Sequence, residues 1–241
     1  MCRVLLSCCL FLCLSLFSID VLGQLSGNYT INASIATSGS NFNSFKDLTD
    51  TLESSGLSGT VNVNVVDGSG PYREQIEFNK IQGLSASNSL AINGNGETIL
   101  SSGSSTNYAI LLLDSVSHIT IDHLYIELEN LNRTFGVMIL NESDSNTISN
   151  CTIDLSRANN ESSSFYGGIV MGTSKTSPNS SGPTGNYNTI IGNTIIGGRT
   201  GITIGGFSLA RQKNNVIKNN LIRDFYYRGI TVAHQESCVI E

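Results

Sequence analysis

The run Arg223-Asp224-Phe225-Tyr226-Tyr227-Arg228 sets cations on both sides of three aromatic rings. Ring faces suit sugar stacking, and a guanidinium fork meets a carboxylate at two points. Arg223, Tyr226, Tyr227 and Arg228 therefore form a candidate subsite for an acidic sugar. The plainer reading is a solvated corner with one buried ring and a surface ion pair. His234, just past the apolar run Gly229-Ile230-Thr231-Val232, is a further candidate binding residue, set against an ordinary exposed turn histidine. Lys175, Lys218, Arg223 and Arg228 are candidate bases that, in neutral form, could abstract a proton next to a uronate carboxyl. His118 and His123 flank Asp122, but strand alternation puts 118 and 122 on one face and 123 on the other, so no joint metal site is expected. No cofactor is implied.

These residues are carried by a repeat. Thr120-Ile121-Asp122-His123-Leu124-Tyr125-Ile126 aligns with Thr147-Ile148-Ser149-Asn150-Cys151-Thr152-Ile153, with Thr189 to Ile195, and with Val216 to Ile222. The first isoleucine recurs at 121, 148, 190, 217 and 240, at spacings of 27, 42, 27 and 23 residues. Each copy is followed by a glycine-led unit at Gly136, Gly168, Gly201 and Gly229. A period in the twenties, built of short β segments between Asn and Gly corners, predicts the coils of a right-handed, single-stranded parallel β-helix. Stacked coils place the isoleucines in one inward column at about 4.8 Å per coil. Asn193 and Asn220 fall at one corner, where amides can bond along the stack. Cys151 fills the same column as Leu124. The outward positions Met138, Val170, Thr203 and Thr231 form an uncharged column, along which no catalytic groove is expected.

Composition agrees. Among 241 residues the sequence has 26 Asn, 34 Ser, 19 Thr and 24 Gly, with 3 Pro, no Trp, 13% charged side chains and a net charge of −6. Collagen is excluded by the lack of a three-residue glycine period, and disorder by the 39% hydrophobic content. Weak acidity offers no basic footprint for nucleic acid. Arg3 ahead of the apolar run Val4–Phe17, with Gly23 at its exit, reads as a signal peptide over residues 1–23. No membrane span is expected after its removal, and the location is secreted or cell-surface. Cys151 and Cys238 then remain; about three coils, roughly 14 Å, separate their corners, too far for a disulfide.

Residues 24–60 read as an N-terminal cap, a strand plus an amphipathic helix around Phe45, Leu48 and Leu52. Residues 61–241 read as coils. The polar stretch 172–187 reads as a long loop projecting from one corner. The last residues begin a new coil, so a longer protein is expected.

The helix, Thr60-Val61-Asn62-Val63 and Gly70-Pro71-Tyr72-Arg73-Glu74-Gln75-Ile76-Glu77-Phe78 together resemble the start of secreted right-handed β-helix proteins of the pectin-lyase-like superfamily, in particular exported β-helix repeat proteins of Bacteroidota. The resemblance implies engagement of extracellular polysaccharide, as part of a lyase or hydrolase acting on acidic polysaccharide or as a non-catalytic adhesin or scaffold. The family's paired-acid hydrolase patterns and its esterase motifs are absent.

Overall fold

A computed structural model describes residues 23–158, 162–177, 180 and 182–241. The segment read as a signal peptide lies outside them except for Gly23. The described chain is all-β apart from one α-helix and one short 3-10 turn, and its long sheets are parallel. They stack as a parallel β-solenoid, with a nine-stranded first sheet, a five-stranded second sheet and a six-stranded third sheet.

Register follows the repeat. In the first sheet Ile92, Ile121, Ile148, Ile190, Ile217 and Ile240 are successive partners. In the second, Ile99, Ile126, Ile153, Ile195 and Ile222 are. In the third, Leu111, Val137, Ile169, Ile202 and Ile230 are. All of these up to Ile217 are buried apart from Ile222 and Ile230 in the final coil, where Ile240 is also exposed. Each buried isoleucine contributes roughly 1.5–3 kcal/mol.

The glycine that opens each third-sheet unit has a steric reason. A Cβ on Gly136, Gly168 or Gly201 would lie 2.3–2.4 Å from Cγ2 of Ile153, Ile195 or Ile222, inside any real contact.

Two asparagine columns bind the coils at their corners. The Oδ1 of Asn193 accepts the Cys151 N–H and that of Asn220 accepts the Asn193 N–H, both at 2.9 Å. The Asn193 amide donates to Asn220 Oδ1 at 3.0 Å. Asn146, Asn188 and Asn215, all buried, make a second column in the same way at the corner entering the first sheet. At the corner between the first and second sheets His123, Asn150, Gly192 and Asn219 all take positive φ, between 50° and 69°, which Asn and Gly tolerate best.

The helix Phe45–Ser55 is capped by Ser44, whose hydroxyl accepts the Asp47 N–H at 3.0 Å, and by the Glu74 carboxylate, which accepts the Phe45 and Lys46 N–H groups. Its buried face, Phe45, Leu48 and Leu52, packs on the strands Leu25–Ile31 and Ile76–Asn79. The strand Leu57–Val65 runs across residue 60, and its partner Leu25–Ile31 joins the same sheet.

Candidate functional site

The outward face of the third sheet holds the site. Glu77, Leu112, Met138, Val170, Thr203 and Thr231 are successive register partners there. The column is uncharged from Leu112 on, as the pattern predicts, but its first half is not exposed. Leu112, Met138 and Val170 are at most 1% accessible and join Tyr108, Ala109, Phe135 and Leu140 in a second apolar cluster outside the main core, with Phe165 packed on it.

That cover comes from segments outside the repeat. Phe165 meets Tyr108 edge-on at 5.6 Å. The stretch after Gly172 does not project as expected: it folds back, the Lys175 carbonyl accepting the Tyr108 N–H at 3.0 Å. The Lys175 ammonium pairs with Glu77 and lies 3.4 Å from Asp114. These polar contacts at Lys175 hold the stretch 173–177 down as a strap. Burial alone would lower the Lys175 pKa, but the hydrogen bond and charge of Glu77, with Asp114, outweigh it and hold the ammonium above its ordinary range. Lys175 thus has two carboxylates as partners.

Past the strap the column opens into a cleft of about 160 Å³. Its floor is Val170, Thr203 and Thr231, and its margin is Arg199, Thr200, Tyr227 and Arg228, with Phe135 and Ser164 at one end. The floor is uncharged, and the charge of the cleft comes from the neighbouring column instead. Thr200 pairs with Arg228, which puts Arg199 beside Tyr227 on the next coil. The Arg199 and Arg228 guanidiniums lie 4.7 and 4.6 Å from the centre of the Tyr227 ring. Arg199 also donates to the Ser162 carbonyl, and Arg228 to the Tyr227 hydroxyl at 3.0 Å. A second recess, toward the N-terminal coils, is lined by Tyr108, Asn132 and Arg133, with Arg133 at 4.4 Å from the Phe165 ring.

Among the described residues no carboxylate lies within ion-pairing distance of Arg133, Arg199 or Arg228, whereas Arg73, Lys175, Lys218 and Arg223 all have acidic partners. No carboxylate or histidine lines the cleft either. Three guanidiniums held by ring faces and by carbonyl or hydroxyl acceptors are free to meet an anion. No family model matches this chain, and no curated protein or solved structure matches it.

Of the residues read from sequence, the structure brings together Tyr227 and Arg228. Tyr226 is exposed at the same corner, its N–H donating to the Gly198 carbonyl, but it does not line the cleft. Arg223 belongs to the second sheet: it bonds Asp224 at 2.5 Å and, in register with Ile196, lies two coils beyond the level of Asp154. His234 is exposed past the far end of the strand Arg228–Val232, its carbonyl accepting the Gln212 N–H. His123 bonds Asp122 at 2.5 Å, while the His118 carbonyl accepts the Leu90 N–H. Among the described residues no group of three His, Cys, Asp or Glu side chains could hold a metal, and no helix is long and apolar enough to cross a membrane. Cys151 and Cys238 are free thiols. Arg199 is the residue that sequence reading misses; aligning Gly201 with Gly229 was enough to find it, since that register puts Arg199 against Tyr227.

Proposed function

We propose that the chain is an exported, right-handed, single-stranded parallel β-helix that holds an extracellular acidic polysaccharide in the third-sheet cleft. The observation that carries this reading is the Arg199–Tyr227–Arg228 stack, two guanidiniums without carboxylate partners around one exposed ring. Threonine hydroxyls along the floor supply donors and acceptors for sugar hydroxyls. Handedness is supported by the general rule that crossovers between parallel strands of L-residues are right-handed. Export is supported by the charged and apolar N-terminal run.

The cleft favours a binding scaffold over a hydrolase. Hydrolysis of a glycosidic bond ordinarily needs two carboxylates facing each other across the sugar, and this cleft presents none. The test is retention of the protein on pectate and alginate against neutral glucan. Arg199→Ala and Arg228→Ala should each abolish retention on the acidic polymers, and Arg223→Ala should leave it intact. Retention that survives loss of both cleft arginines overturns the reading.

A further inference from the structure

We propose that the cleft takes the end of an acidic glycan chain and not an internal stretch, an inference that rests on the reading above. Thr203 and Thr231 face the cleft on successive coils, and Val170, on the coil before them, lies at its closed end. One coil before Val170 the same column continues as Met138, wholly buried, and then Leu112, also wholly buried. The column does not stop there; it is roofed. Phe165 packs on it edge-on against Tyr108, with the Arg133 guanidinium over the outer face of Phe165. The strap is fastened on both margins, by the Tyr108 N–H to the Lys175 carbonyl on one side and by Lys175 to Glu77 and Asp114 on the other.

A linear polymer lying along the column therefore runs into the Phe135–Ser164 end of the cleft. Its leading unit meets the Arg199 and Arg228 guanidiniums with its anionic group. A chain passing straight through would have to displace the Phe165 roof and uncover Met138 and Leu112, which are now dry.

The experiment is calorimetric titration of the full chain with 1,4-linked galacturonate and mannuronate oligomers of one to eight units. One protein should bind per oligomer at every length. Bulky caps on both chain ends should weaken binding at least tenfold. Phe165→Ala, checked for an unchanged circular dichroism spectrum and cooperative melting, should open the roof and let more than one protein bind each octamer. Should Phe165→Ala not fold, the capped oligomers with the unaltered chain decide. Stoichiometry rising with length in the unaltered protein, or capped oligomers binding as well as uncapped ones, overturns chain-end recognition and leaves polysaccharide binding standing. If no oligomer binds, both readings fall.

Discussion

The side-chain amide of Asn188 donates to Oδ1 of Asn215 one coil further on, at 3.3 Å, and the same oxygen accepts the Asn188 main-chain N–H at 2.9 Å. Asn188 repeats the arrangement one coil back: its Oδ1 takes the Asn146 N–H and its amide reaches the Ser143 carbonyl, both at 2.9 Å. Each asparagine thus satisfies main-chain groups of its neighbouring coil that have no water within reach. Asparagine here is a structural part, like isoleucine. Asn188→Ala should lower unfolding stability by about 2–4 kcal/mol, because a buried N–H and a buried carbonyl lose their partners. Asn188→Asp should cost more, since a buried carboxylate cannot donate to Ser143. Denaturant melts check both; a cost under 1 kcal/mol for the alanine would show the column to be dispensable.

Gly168→Ala adds a methyl 2.4 Å from Ile195 Cγ2 and 2.6 Å from the Gly201 carbonyl oxygen. Neither neighbour can retreat, the first being buried in the core and the second being backbone. The loss should be at least 1–3 kcal/mol, typical of overpacking. Thermal unfolding measures it, and a shift in melting temperature of less than about 2 °C would contradict the packing described.

Asp122 sets an acid limb. Burial raises its pKa, but hydrogen bonds from Ser149, His123 and Asn150, with the charge of His123, outweigh that and hold the carboxyl below the usual 3.8. A depressed carboxyl contributes stability that is present above the ordinary value and is lost as pH falls through the folded one. Asp122→Asn should therefore melt below the unaltered protein at pH 7, and the gap should close as pH drops below about 4. A gap that is constant from pH 7 to 3 would remove Asp122 from the account.

Lys175→Met unfastens one margin of the strap. The pair with Glu77 is about one-third exposed, so global stability should change by no more than about 1 kcal/mol. The local effect is larger: the Tyr108 amide, bonded to the Lys175 carbonyl, should exchange its hydrogen several-fold faster. Unchanged exchange at Tyr108 would mean that the roof holds without the ion pair.

The split between what the sequence discloses and what it hides follows the repeat. Ile121, Ile148, Ile190 and Ile217 align by eye because each coil must offer the same inward side chain to the same neighbour, and helix Phe45–Ser55 announces itself through Ser44, its apolar period and Gly56. Arg228 and Tyr227 are visible as a cluster of types. The cleft is not, because one wall is Arg199 from the preceding coil and its closed end is Phe165, which sits in a segment with no counterpart in other coils. The fold back of Lys175 onto Glu77 joins residues 98 positions apart outside the repeat register, and no periodicity reports it.

Cys151 offers the sharpest test of the corner geometry. Its column runs Leu124, Cys151, Asn193, Asn220, so sulfur stands where the next two coils carry an amide. The correspondence extends to partners. Asn193 and Asn220 donate to the Ile148 and Ile190 carbonyls at 2.9 and 2.8 Å, and Cys151 Sγ faces the equivalent Ile121 carbonyl at 3.9 Å. Burial pushes the thiol up to about 12, although the Leu124 N–H directed at the sulfur pulls the other way. At neutral pH the group is therefore a neutral thiol and a poor partner for both. Cys151→Asn should extend the column, its Oδ1 accepting the Leu124 N–H and its amide reaching Ile121, with a gain of about 1 kcal/mol from two better hydrogen bonds against some loss of apolar burial. Cys151→Ala, which loses these contacts and the thiol's closer one to the Ser149 carbonyl at 3.2 Å and leaves a small void, should lose about 1 kcal/mol. Paired melts of the two variants decide the matter: if alanine is tolerated better than asparagine, the corner at residue 151 does not share the geometry of those at 193 and 220.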